Sequence, residues 1–161
     1  MDKNAIFGLG ILMSFIASGL VAKLYVVPRL RVRHGADALI PLVIPHTFRF
    51  AGLSFLVPGV VSPSLPPAFT VSAAYGDLIA AILAIVATLA LNARASWAVA
   101  IVWLFNVWGT ADLLHAMYRG AMGIGDPGLL GAAYYIPTVI VPMLLVAHAL
   151  LFWVLLRPKQ S

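Results

Sequence analysis

Five long apolar runs dominate the sequence and limit what the chain can fold into. They cover roughly residues 5–27, 38–58, 75–92, 96–117 and 133–156, and a helix needs about 20 apolar residues to cross the hydrocarbon core of a bilayer. Runs of this length are the signal by which transmembrane helices are recognised. The sequence therefore predicts an all-α integral membrane protein, built as a five-helix transmembrane bundle.

The composition supports the same class. Hydrophobic residues make up 63% of the chain and charged residues 9%, whereas a soluble domain is about half apolar and about a quarter charged. The length of 161 residues fits one transmembrane domain over residues 1–161. Cysteine is absent, which excludes thiolate catalysis and a Cys-ligated metal. The net charge of +5 forms no basic patch interleaved with aromatic residues, so nucleic acid is not an expected partner.

The distribution of basic residues predicts the orientation. One side of the predicted bundle carries most of them, namely Arg29, Arg31, Arg33, Arg94, Arg157 and Lys159, with Lys23 nearby. The other side carries only Lys3 and Arg119. Because cytoplasmic loops are enriched in Lys and Arg, we expect the N-terminus outside and the C-terminus in the cytoplasm. The protein is thus predicted to be a multi-pass protein of the cell membrane, with the lipid bilayer as its partner.

Small residues recur every four positions in the first run, at Gly10, Ser14, Ser18 and Ala22. Small residues at this spacing let two helix backbones approach closely. The stripe is therefore either a homodimer interface or a packing face for another helix of the same chain.

Polar side chains inside the apolar runs are the candidate functional residues, because ionisable groups within a bilayer are costly unless they are paired or hydrated. The predicted ligand-binding residues are His46, Arg49, Asn106, Asp112, His115 and His148. His46 and Arg49 share a helix face, since they are three residues apart. His46 and His148 each lie about eight residues from the cytoplasmic end of their helix, which places them at matching depth. We expect His46, Arg49 and His148 to border one cavity in the cytoplasmic half.

Two pairings follow from these positions. Arg49 and Asp112 are expected either to form a buried ion pair between the second and fourth helices, or to bind an anionic or carbonyl-bearing ligand through Arg49. Asp112 and His115, three residues apart, are either an acid–base pair or two groups facing the outer water layer. Asp77 is expected to begin the third helix at the outer surface.

The two histidines have their own alternatives. Two His at one depth on separate helices are the arrangement that axial ligation of haem b requires. The other interpretation is a pair of hydrogen-bonded core histidines. Zinc needs three or four ligands at one depth, and only two are available, so no metal site is predicted.

Three stretches carry a resemblance to a known family. "FRFAGLSFLVPGVV", "AYGDLIAAILAIVATLAL" and a helix ending "DLLHA" resemble the DoxX-like small membrane proteins over residues 46–156. The first helix is then an addition to the family's pattern. The resemblance implies a four-helix bundle, often associated with quinone or redox partners, and it supplies no catalytic residues.

Three functions stay open from the sequence. The first is the binding of an apolar ligand (a quinone, an isoprenoid or a porphyrin-like molecule) in an intramembrane pocket. The second is a membrane redox protein or enzyme, with haem b held by His46 and His148 or with a quinone as its redox partner. The third is a structural accessory subunit of a membrane complex, in which the charges only pair.

Overall fold

The computed structural model describes residues 2–157, and within that range the chain is helical without strands. Five helices are long and apolar enough to cross a membrane, which confirms the predicted number. They are α1 (Lys3–Arg31), α2 (Ala36–Leu56), α3 (Pro67–Asn92), α4 (Ala98–Gly123) and α5 (Ile136–Leu155). A short 3₁₀ helix, Pro127–Tyr134, precedes α5.

α1 is longer than predicted. It continues to Arg31, four residues beyond the predicted end at residue 27. Proline inside a helix removes one backbone hydrogen bond and crowds the preceding turn. In α1 the turn Ala22–Val26, which ends two residues before Pro28, widens into a π-helix, which accommodates the proline without ending the helix.

α3 begins eight residues earlier than predicted, at Pro67 instead of residue 75. Residues 59–74 lie outside the predicted apolar runs and are rich in Pro and Ser, which favours an irregular connector. Pro67 is the first helical residue, a position where the missing backbone N–H costs nothing. The prediction for Asp77 is therefore wrong: this residue lies inside α3 and is buried.

α2 changes its geometry partway along. It is an α-helix over Ala36–Val43 and a 3₁₀ helix over Ile44–Leu56. A 3₁₀ helix has 3.0 residues per turn, so side chains three apart lie above one another. His46, Arg49, Gly52 and Phe55 are spaced by three and are all buried. The change of geometry thus lines up four residues along the inner face of the bundle.

α3 lies between α2 and α4, and its buried face is mostly alanine. α1 packs chiefly against α5. One core cluster, including Leu39, Val102 and Leu151, fills the end where α2 begins. A second cluster, including Phe69 and Leu130, fills the opposite end. The polar candidates lie between these two apolar layers.

The small-residue stripe of α1 faces the inside of the bundle. The α-carbon of Gly10 lies close to Thr138 of α5, because a Cβ built on the glycine would be 3.6 Å from the threonine Cβ. Ala22 is buried, and Ser14 and Ser18 are half-buried. Packing within one chain accounts for the stripe, and a homodimer through it would have to displace α5.

Polar contacts join different segments of the chain at both ends of the bundle. Arg157 donates a hydrogen bond to the carbonyl of Leu30 (2.8 Å) and stacks 3.5 Å over Trp153. We call this the basic end, because Arg29, Arg31, Arg33 and Arg94 also lie there; Lys159 lies outside the described residues. At the other end, here the Lys3 end, Lys3 donates to Asp126 at 2.9 Å. That hydrogen bond, followed by one from the Gly128 amide, lowers the pKa of the Asp126 carboxyl.

Candidate functional site

Arg49 occupies the centre of the bundle and is only 3% exposed. Its Nε donates to Asp77 Oδ1 at 2.8 Å, and its Nη2 donates to Asp112 Oδ2 at 2.6 Å. Its Nη1 donates to the Gly109 carbonyl at 3.2 Å. The ion pair expected between Arg49 and Asp112 is present, and Asp77 is a second carboxylate partner. Arg49, Asp77 and Asp112, here called the Arg49 cluster, join α2, α3 and α4.

Three glycines allow these groups to approach one another. A Cβ on Gly76 would overlap the Asp112 carboxylate, and a Cβ on Gly52 would overlap the Asp77 carboxylate. A Cβ on Gly109 would lie 2.6 Å from the His148 ring and 2.9 Å from Arg49. Any larger residue at these positions would push apart the helices that supply the cluster.

His148 and Asn106 form a second polar pair beside Arg49. His148 Nδ1 lies 2.7 Å from Asn106 Oδ1, and the Asn106 amide donates to the His148 carbonyl at 3.4 Å. His148 Nε2 lies 3.5 Å from Arg49 Nη1. Because a guanidinium only donates, this contact assigns the proton of a neutral imidazole to Nδ1, where it is donated to Asn106. Asn106 therefore holds His148 with its unprotonated nitrogen towards Arg49.

His46 is fully buried, and neither ring nitrogen has a hydrogen-bond partner among residues 2–157. Its ring centroid lies 4.1 Å from that of His148 and 5.0 Å from that of Phe105. The matching depth predicted for the two histidines is thus correct, but the hydrogen bonding predicted for His46 as a core residue is not found.

The arrangement does not fit haem between His46 and His148. Axial ligands lie on opposite faces of the macrocycle with the iron between them. Here the two rings are close to van der Waals contact, which for carbon atoms is about 3.5–4.0 Å. One nitrogen of His148 is also directed at the Arg49 cation. This part of the bundle has no space for a flat cofactor.

A cavity of about 130 Å³ lies on the Lys3 side of the Arg49 cluster. Its wall is apolar except for Asp77 and Asp112. The apolar lining residues are Phe7, Ile11, Phe55, Phe69, Ala73, Leu113, Ala116, Met117, Gly120, Ala121, Ile124, Ile136, Pro137 and Val141. Asp77 and Asp112 therefore belong both to the Arg49 cluster and to the wall of the cavity.

The cavity is not where the sequence predicted it. His46, Arg49, Asn106 and His148 lie beside it but do not line it, and it lies on the Lys3 side of the Arg49 cluster instead of the basic side. On the basic side the stacked rings of His46, His148 and Phe105 occupy the space. On the Lys3 side, small residues such as Ala116 and Gly120 leave room.

His115 does not join the site. It is exposed on α4, and it forms no hydrogen bond with Asp112 in the described structure. Asp112 turns inward to Arg49 instead, so the predicted acid–base pair with His115 is not formed. Asp77 is the site residue that sequence reasoning missed. The available signal was an acidic residue nine positions after Ala68, in a stretch that has no other charged residue as far as Ala93.

Comparisons with known proteins give a family and no function. No curated protein and no solved structure matches the chain. The family match spans residues 6–156, so it includes nearly all of α1 together with the other four long helices. The chain belongs to the family described as Domain of unknown function (DUF8737).

Proposed function

We propose that this is an integral membrane protein that binds a small, largely apolar ligand in its internal cavity. The observation that carries the proposal is the cavity wall, which is apolar except for the carboxylates of Asp77 and Asp112. Apolar walls with a few converging polar groups are the usual form of a small-molecule site. The carboxylates would accept hydrogen bonds from the polar end of the ligand.

The wall narrows the ligand classes expected from the sequence. An ionised carboxylate accepts hydrogen bonds, and a protonated carboxyl can also donate one. A quinol hydroxyl or an isoprenoid alcohol can bond to either form, whereas a quinone carbonyl needs the protonated form. The volume of the cavity also limits the ligand. At about 130 Å³ it is close to the volume of an engineered protein cavity, about 150 Å³, that binds benzene. One ring or one isoprenoid unit fits, and a porphyrin does not.

The helix packing supports entry from the bilayer. The cavity lies between α1, through Phe7 and Ile11, and α4, through Met117 and Ala121. α1 packs chiefly against α5, whereas α4 packs chiefly against α3. An apolar tail can therefore extend between α1 and α4 into the hydrocarbon while the ring or hydroxyl stays at the carboxylates.

Binding is tested with benzyl alcohol and toluene, which differ by one hydroxyl oxygen, by ligand-observed NMR of the protein in dodecyl maltoside micelles. A hydrogen bond to a charged group contributes about 1.5–3 kcal/mol, so benzyl alcohol should bind at least about tenfold more tightly than toluene. Ala116→Phe, which fills the cavity, should abolish the binding of both probes. Ala111→Phe is the matched control, because Ala111 lies on the exposed face of α4.

Two results would reject this function. One is equal binding of the probes to the Ala116→Phe and Ala111→Phe variants, which would mean that they partition into detergent. The other is no binding to the unaltered protein. Either result would favour the structural accessory role, in which the Arg49 cluster only joins helices.

For orientation we propose an external N-terminus and a cytoplasmic C-terminus. The supporting observation is the concentration of Arg side chains at the basic end, where α1 and α5 both finish. Green fluorescent protein fused to the C-terminus should fluoresce, and alkaline phosphatase at the same position should be inactive. An active phosphatase fusion would reverse the orientation.

A further inference from the structure

The Arg49 cluster has one more negative group than positive. It contains one guanidinium and two carboxylates, and each carboxylate bonds to that single guanidinium. No Lys, Arg or His side chain lines the cavity from any of the five helices that form it. The other titratable groups nearby are His46 on α2, His115 on α4 and His148 on α5. His148 directs an unprotonated nitrogen at Arg49, and His115 lies on the exposed face of α4.

An unbalanced charge is costly at this depth. Two carboxylates that share a site do not both ionise readily, because each disfavours the charge of the other. Arg49 offsets one of them, and a second positive charge is needed to offset the other. Arg49 cannot supply it, because a guanidinium carries one positive charge, and its three nitrogens are already bonded to Asp77, Gly109 and Asp112. Within the cavity, two sources of the second charge remain: a proton on Asp77 or Asp112, or a cation that enters the cavity.

We infer that the cavity binds a small lipophilic ammonium, and that this cation exchanges for one proton at the Asp77–Asp112 pair. The inference rests on the proposed function, because it uses the same cavity. An ammonium donates up to three hydrogen bonds and accepts none, which matches two carboxylates side by side. Its apolar body would contact Phe55, Phe69 and Leu113.

The exchange balances in charge and in atoms. Without the ligand, one carboxylate of the pair is protonated and the cluster is neutral. When the ammonium binds, that carboxyl releases its proton to solvent, and no covalent bond other than the O–H bond breaks. The cluster with its ligand is again neutral, so binding should be tighter at higher pH.

The test is isothermal titration calorimetry with benzylammonium, with benzyl alcohol as the neutral probe of the same shape. Dodecyl maltoside micelles contain no ammonium group, so the probe has no competitor. We expect benzylammonium to bind at least about tenfold more tightly than benzyl alcohol, as a charged pair in a partly desolvated site should. Titrations in two buffers with different ionisation enthalpies should show release of up to one proton.

Matched variants test whether Asp77 and Asp112 are the residues that bind benzylammonium. Asp112→Asn leaves Arg49 paired with Asp77 alone and should lower the affinity for benzylammonium to that for benzyl alcohol, without proton release. Asp77→Asn makes the same test if the first variant does not fold. Asp37 is exposed at the basic end, so the Asp37→Asn variant should bind both probes as the unaltered protein does.

A competition experiment distinguishes the natural sources of the ammonium. Phosphatidylethanolamine added to the micelles should compete with benzylammonium if the source is a lipid headgroup, and should not compete if it is a free amine.

The outcomes separate this inference from the proposed function. If benzyl alcohol binds and benzylammonium binds no more tightly, the charge inference is overturned and the proposed function stands. If benzylammonium binds tightly without proton release, the exchange is overturned. If neither probe distinguishes the unaltered protein from Ala116→Phe, the proposed function itself fails.

Discussion

Replacement of Arg49 by Met is expected to lower the free energy of unfolding by about 3–5 kcal/mol, because it leaves two buried carboxylates without a cation. Asp112→Asn should cost much less. Arg49 keeps its 2.8 Å bond to Asp77 in that variant, and the remaining cluster has one charge of each sign. An isolated Arg49–Asp112 pair would make the two variants equally unstable. A larger loss of unfolding free energy for Arg49→Met than for Asp112→Asn therefore distinguishes a three-membered cluster from an isolated pair.

Rescue of the Arg49→Met variant should need two further changes. Asp112→Leu recovers only part of the loss, because Asp77 stays buried without a partner. Asp77→Leu added to these should recover most of it, since replacing a buried ionic group by apolar residues of similar size is often neutral or stabilising. The stability of the unaltered protein and of the single, double and triple variants is measured by unfolding with sodium dodecyl sulfate titrated into mild detergent. If the triple variant is less stable than the double, Asp77 is not coupled to Arg49.

Gly76→Ala should destabilise the protein by about 1–3 kcal/mol, the usual cost of overpacking. The new methyl group would occupy the place of the Asp112 carboxylate. To relieve the overlap, either α3 and α4 must separate or Asp112 must leave Arg49. The same titration measures stability, and the variant should also lose binding of benzyl alcohol.

Gly19→Ala is the matched control on α1. A Cβ at Gly19 meets no heavy atom within 4 Å. Alanine also favours the helix by about 1 kcal/mol over glycine, so this variant should be as stable as the original protein or slightly more stable. Equal losses at Gly76 and Gly19 would show that the glycines matter only through the helix backbone.

The helices could be predicted from apolar runs, and the main error has a local cause. The start of α3 depends on Pro67 at its first helical position, within a connector whose composition resembles a loop. Because the predicted start of α3 was about two turns too late, Asp77 was placed at the surface and was not recognised as the second carboxylate partner of Arg49. The 3₁₀ geometry of α2 could not be predicted either, because the three-residue spacing from His46 to Phe55 is also compatible with an α-helix.

The site could be predicted as a set of residues but not as a shape. Depth along a helix was enough to bring His46 next to His148 and Arg49 next to Asp112. Whether the space between such groups is filled or empty depends on the packing of neighbours on other helices. Phe105 fills it on one side of Arg49, and the small residues near Ala116 leave it open on the other.

The most direct test of the central claim, a ligand-accessible carboxylate pair inside the bundle, is labelling with dicyclohexylcarbodiimide. This apolar reagent adds to protonated carboxyl groups, with one of its two cyclohexyl rings in the cavity and the other between α1 and α4. The chain has five acidic residues, all Asp. Mass spectrometry should find the adduct at Asp77 or Asp112, and benzylammonium should lower its amount without a benzylamide appearing in its place. Ala116→Phe should prevent the adduct, and Ala111→Phe should not. Adducts confined to Asp2, Asp37 and Asp126, or labelling at the pair that is identical in both variants, would contradict the account.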